Sequence, residues 1–176
     1  MPKNASRYTI KVLIYEIEPL IWRRFSVPGS LSFAELHSVL QQAMGWENRQ
    51  AHEFRYGKGK NLTDVIANPA DDVVIEGKFD DETKLRIDQF FKHRRVPQRM
   101  LYRYDFTEDW VHELTFEAKE ESDDIKVQLL DGERACPPED CGGPWGYMDA
   151  LNGNLEWIDD DYDPGAFDFK RVQLKL

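Results

Sequence analysis

A chain of 176 residues with 41% hydrophobic and 12% aromatic residues is long and apolar enough for one packed domain, so disorder over most of its length is excluded. Its 33 acidic and 23 basic residues give a formal net charge of −10, which on average repels phosphate backbones and anionic membranes. The charge is graded: +4 over residues 1–60, −1 over 61–100 and −13 over 101–176, so the acidity belongs to the last part of the chain.

Residues 1–7 read as a polar tail, with a single domain expected over 8–176. Tyr8 to Ile17 alternates as a strand with apolar residues on both faces, which predicts burial on both. Ile21 to Val27 is a second strand, ended by the turn residues Pro28 and Gly29, and the two form a hairpin or the start of a meander. Ser32 and Glu35 have the spacing of a capping box; Phe33, Leu36, Leu40, Ala43 and Met44 then recur at helical intervals, and Gly45 supplies a left-handed stop. Gln50 to Tyr56 returns to period two, with His52, Phe54 and Tyr56 on one face. Gly57, Gly59 and the pair Asn68 and Pro69 predict a long surface loop.

Leu85 and Ile87 read as a short strand and Asp88 as the cap of a brief helix from Gln89 to about Arg94. Leu101 to Phe106 and Trp110 to Ala118 make an antiparallel hairpin with a polar tip at Thr107, Glu108 and Asp109. Ile125 to Leu130 adds a strand, Pro144 to Leu151 a short helix entered through Gly142 and Gly143, and Asp163 with Pro164 starts a last helix. Strands joined mostly as hairpins around a few helices predict an α+β fold: one mixed, mainly antiparallel sheet with helices packed on one face.

No apolar run approaches the 18 or so residues of a membrane span or the core of a secretion signal, which points to a cytoplasmic chain. Neither a phosphate-binding loop, a dinucleotide fingerprint, a nucleophile elbow nor a zinc-protease His pair is present. Chemistry therefore has to be sought in polar clusters. His112 is in phase with Trp110, Leu114 and Phe116, the pattern of a core histidine, but it also stands near Asp109 at a strand end, where an imidazole and a carboxylate can share an ion. The loop from Cys136 to Tyr147 is restrained by prolines and carries Glu139 and Asp140. Its glycines allow a close backbone approach, and the helix start after it leaves amides free for a carboxylate. Asp109, His112, Glu139 and Asp140 are thus the candidate divalent-metal ligands of a metal-dependent enzyme such as a hydrolase, if hairpin tip and proline loop meet.

Cys136 and Cys141 are too few and too far apart for a zinc ribbon, and a disulfide is disfavoured in a reducing compartment. Asp159, Asp161 and Asp163 start like a calcium loop, but Pro164 and Lys170 stand where glycine and glutamate belong, leaving a solvated acidic turn. Arg94, Arg95 and Arg99 head the one basic cluster, a weak nucleic-acid footprint that serves as well to pair with the acidic last third.

Taken together, Tyr15 to Phe25 (YEIEPLIWRRF), the helix from Phe33 to Trp46, His52 to Phe54 (HEF), Tyr102 to Phe106 (YRYDF), Asp109 to Glu113 (DWVHE), Cys136 to Asp140 (CPPED), Gly142 to Tyr147 (GGPWGY) and Asp163 to Asp168 (DPGAFD) resemble the plasmid pRiA4b ORF-3-like family, in order along nearly the whole chain. Thr107 and Glu108 replace the Gly-Asp usual in that hairpin, and Cys141 departs from the pattern. The resemblance implies a single α+β domain associated with plasmids and mobile elements. Nothing in the chain looks like a serine recombinase. The reading favoured over an enzyme is a binding or accessory module without a cofactor. It would hold a protein or small ligand on an aromatic and acidic loop face formed by Trp110, Glu139, Asp140, Trp145 and Tyr147, with membranes excluded and nucleic acid disfavoured as partners.

Overall fold

The computed structural model describes residues 5–58, 60–71, 77–153, 159, 161–168 and 172–175. Gly59, Lys170 and the first four residues of the expected tail lie outside the described residues. Eight strands form one sheet: β1 (Ser6–Ile14), β2 (Trp22–Pro28), β3 (His52–Lys58), β4 (Asn61–Ala67), β5 (Phe79–Asp81), β6 (Gln98–Tyr104), β7 (Trp110–Glu121) and β8 (Gln128–Glu133). Their order across the sheet is β5-β4-β3-β6-β7-β1-β2-β8. Every pairing is antiparallel except that of β4 with β5, so the sheet is mixed and mainly antiparallel. The helices are α1 (Phe33–Met44), α2 (Ile87–Phe90, continued by a 3-10 turn over Phe91–His93) and α3 (Gly143–Leu151).

The alternation read from the sequence selects the buried face. Tyr8, Ile10, Val12 and Ile14 of β1, Met100, Tyr102 and Tyr104 of β6, and Trp110, His112, Leu114 and Phe116 of β7 are all buried. The Phe33 ring of α1 meets Phe54 of β3 edge-on at 5.2 Å and Phe90 of α2 at 5.4 Å, and Phe90 meets Tyr56 at 4.9 Å. The other face is not buried as β1 led one to expect. Thr9, Lys11 and Leu13 are only half-buried, and ion pairs lie along this face: Arg24 to Glu117, Arg99 to Glu113, Arg103 to Asp109, and Arg55 to Glu53.

The start of α1 has the capping box its sequence predicts. The Glu35 amide donates to Ser32 Oγ at 3.1 Å, the Ser32 amide donates to Glu35 Oε2 at 2.8 Å, and Gly45 ends the helix at φ +79°. Arg23 is buried without a carboxylate, held instead by the carbonyls of Ala43, Trp22 and Glu133 and by the Phe167 ring 3.7 Å from its guanidinium.

Five expectations need correction, the first being the cap of α2, which is Arg86 and not Asp88, on a helix that starts at Ile87 rather than Gln89. The predicted loop after Tyr56 is mostly strand β4, paired with β3, and Gly57 is there for closeness, since a Cβ on it would fall 1.9 Å from the Asn61 carbonyl oxygen. Leu85 and Ile87 form no strand, only a single bridge from Arg86 to Ser32, while β5 went unpredicted. The strand placed at Ile125 to Leu130 runs instead from Gln128 to Glu133. Asp163 and Pro164 start a turn rather than a helix, because Asp163 Oδ1 accepts from the Gly165 amide at 2.9 Å. Among the described residues no helix is long and apolar enough to cross a membrane.

Candidate functional site

The hairpin tip and the proline loop do meet, but through Glu108. One carboxylate oxygen accepts from the Gly142 amide at 2.7 Å, the other from the Trp110 indole at 3.1 Å. A carboxylate thus occupies the amide at the start of α3, and the close approach foreseen for the glycine pair is found at Gly143. There φ is +70° and a Cβ would lie 2.3 Å from the Glu108 carbonyl oxygen.

The four candidate metal ligands do not converge. Asp109 pairs with Arg103 on the outer face of the sheet, whereas His112 is fully buried beneath it, its Nδ1–H directed to the carbonyls of Trp110 (3.1 Å) and Tyr102 (3.2 Å) and its Nε2 without a partner. Burial pushes the His112 imidazole down to about 4. Glu139 accepts from the Tyr104 hydroxyl at 2.7 Å and from the Glu47 amide at 2.8 Å, and Asp140 pairs with Arg49 at 3.3 Å. Among the described residues, no group of three or more His, Cys, Asp or Glu side chains is arranged to hold a metal ion. The proline loop is pinned rather than open: the Trp46 indole donates to the Pro137 carbonyl at 2.9 Å and stacks on Tyr104. Cys136 and Cys141 are free thiols; burial raises both, Cys141 to about 12.

Of the expected aromatic face, Trp110 and Tyr147 belong to the core, Tyr147 with its hydroxyl 2.9 Å from that of Tyr162. Trp145 does the opposite and stands 79% exposed on α3. It borders a cleft of about 380 Å3 with Glu16, Pro144, Met148 and Asp149, and a smaller one of about 120 Å3 between Tyr15, Glu16, Asp109, Val111 and Pro144 adjoins it. Glu16 and Asp109 sit at φ +63° and +59°, positions the surrounding structure has to impose on non-glycine residues.

In the basic segment, Arg94 donates to the Phe90 carbonyl and lies over the Phe90 and Tyr56 rings, and Arg99 pairs with Glu113 and Tyr15. Of the three arginines only Arg95 has no partner among the described residues, so they form no continuous cationic surface.

A second polar site showed in the sequence only through the inward phase of His52. His37, from the buried side of α1, stacks on His52 of β3 with ring centroids 3.4 Å apart and planes 2° from parallel. The Tyr102 hydroxyl lies 2.8 Å from His37 Nδ1 and accepts from the Gln41 amide at 2.9 Å, so it donates to Nδ1 and leaves Nε2–H to donate to Asn48 Oδ1 at 2.7 Å. Burial, and then the neighbouring His52, lower His37 to about 3. His52 Nε2 in turn meets Glu82 Oε2 at 2.7 Å, both groups being almost fully buried. His37, Asn48, His52 and Glu82 line a cavity of about 420 Å3 together with Ser38, Arg49, Asn68 and Asp71.

The comparisons agree with this architecture. A crystal structure of a protein of unknown function, MM3350, from Methanosarcina mazei Go1 superposes with a TM-score of 0.82 at 32% identity, covering 97% of this chain and 98% of that one. The uncharacterized protein y4hQ of Sinorhizobium fredii (strain NBRC 101917 / NGR234) is 31% identical over 182 residues, 96% of this chain and 89% of that protein. The family model described as plasmid pRiA4b ORF-3-like protein matches residues 6–171, and this chain belongs to that family.

Proposed function

We propose that the chain is a binding module that receives a basic segment of a partner protein on the α3 face carrying Trp145. The observation that supports this reading is the exposure of Trp145, 79%, in a structure that buries Trp46 and Trp110. A large ring left in water beside a cleft is an unspent contact surface, and tryptophan is the residue type most enriched at interface hot spots. The chemistry of the occupant follows from the rim: Glu16 and Asp149 flank the ring, neither is ion-paired among the described residues, and Asp109 adjoins. An Arg or Lys side chain placed over the indole satisfies both the ring face and the carboxylates. The −13 carried by residues 101–176 brings such a partner in by long-range attraction.

The test is selection from a random peptide library on the wild-type protein and on Trp145→Ala. Peptides that pair a basic residue with an apolar anchor, bind more weakly in high salt and are lost with Trp145→Ala bear the reading out. Selection of peptides without basic residues, or equal recovery on the two proteins, overturns it.

A further inference from the structure

The cavity over His37 and His52 lies outside the α3 face, and among the described residues its lining holds more carboxylates than arginines or lysines. Glu82 and Asp71 contribute two carboxylates. Among the described residues neither is ion-paired to a lysine or arginine, and Asp71 Oδ2 is buried with no hydrogen-bond partner. The cation in the lining, Arg49, is already held by Glu47 and Asp140 outside the cavity. With Arg49 so engaged, Asp71 and Glu82 leave the described lining with an excess of carboxylates. A buried acceptor without a donor is destabilising, and an arriving N–H relieves it.

The rest of the lining is fixed in advance. His37 is locked between Tyr102 and Asn48, His52 is locked by Glu82, and the stacked rings leave neither free to turn. Preorganised polar groups around a cavity of about 420 Å3 are what a small-molecule site needs, since ligand pockets run from roughly 300 to 1,000 Å3.

We propose that this cavity binds a small organic cation, an amine or guanidine of amino-acid size, with Asp71 and Glu82 taking its N–H groups. Asn68 and Ser38 also line the cavity. The site is independent of Trp145, so it stands or falls apart from the peptide-binding reading.

Butylguanidine and its neutral isostere butylurea are the probes, titrated into the full chain while the imidazole resonances of His37 and His52 are followed by NMR. Butylguanidine shifts both imidazoles, butylurea binds about tenfold or more weakly, and Asp71→Asn lowers butylguanidine affinity by a similar factor, as expected for losing one charge-assisted hydrogen bond. Ser38→Phe, on an exposed position of α1 that lines the cavity, fills it without touching the core and abolishes the shifts. Trp145→Ala leaves them unchanged. Unshifted imidazoles at about 10 mM butylguanidine, equal affinity for the two probes, or full affinity in Asp71→Asn each overturn the proposal.

Discussion

Two buried neutral histidines make the fold sensitive to mild acid, and replacing one of them should remove a calculable share of that sensitivity. His112 is completely enclosed and held down to about 4, and His37 to about 3, against 6.5 for a free imidazole. Both folded-state values lie below the unfolded one. As pH falls past 6.5, the unfolded chain therefore takes up protons that the folded chain refuses, and stability declines with pH until the folded values are reached. At about 1.4 kcal/mol per pH unit, lowering the pH from 7 to 5 costs about 2 kcal/mol for each of these histidines and about 4 kcal/mol for both. The perturbation is His112→Phe, which keeps a ring among Trp46, Tyr102 and the β7 side chains and removes the titration. Urea unfolding followed by tryptophan fluorescence at pH 7 and pH 5 gives a loss for each protein, and only the two losses are compared, so any repacking cost of the phenylalanine cancels. The variant should lose about 2 kcal/mol less than the wild type across this interval. Equal losses would refute the argument, since they would mean that the enclosed imidazole charges as readily folded as unfolded.

Glu108→Ala leaves the Trp110 indole without its acceptor while the exposed Gly142 amide regains water, so a destabilisation of about 1–3 kcal/mol is expected in urea unfolding. Gly143→Ala adds a Cβ at positive φ against the Glu108 backbone and should destabilise by about 2–5 kcal/mol. Gly45→Ala meets no atom within 4 Å and bears only the conformational part, about 1–2 kcal/mol. Equal effects at the two glycines would show that the hairpin tip yields. The thiols, raised by burial, should react slowly with a disulfide reagent in the native protein at pH 8 and fully in urea, and prompt native reaction would contradict that burial.

What the sequence reveals follows from how local the determining interactions are. α1 is legible because its cap, its stripe and its stop lie within fourteen consecutive residues, Ser32 to Gly45. The β6/β7 hairpin is legible for the same reason. β4 is not, because Asn61, Thr63 and Asp64 are exposed and only Val65 to Ala67 are buried, so half the strand carries no alternation. β5 is three residues long and pairs in parallel with β4, a partner that nothing adjacent in the chain specifies. The polar cavity divides in the same way. The inward phase of His52 is plain in the sequence, and His37 and Gln41 stand out in principle as polar residues among the buried positions Phe33, Leu36 and Leu40. Glu82 follows two other acidic residues with no periodicity, and its 30-residue separation from His52 is closed only by the sheet.

The net charge, which at first argues only against nucleic acid, becomes more specific once the ion pairs are placed. On the outer sheet face, arginines of β2, β3 and β6 each meet a carboxylate: Arg24 with Glu117, Arg55 with Glu53, Arg99 with Glu113 and Arg103 with Asp109. The three pairs partly exposed on both sides add little stability, on the order of 0–1 kcal/mol each, and Glu53 is buried, but all four cancel the local field, so this face neither attracts nor repels strongly. The excess negative charge must then lie elsewhere. Two of the places where carboxylates remain without a lysine or arginine partner among the described residues are the rim around Trp145, at Glu16 and Asp149, and the cavity over the stacked histidines, at Asp71 and Glu82. At the first, an exposed ring accompanies the charge and the complement is a basic side chain on a larger surface. At the second, the charge sits inside a preformed polar cavity, and the complement has to be small enough to enter it.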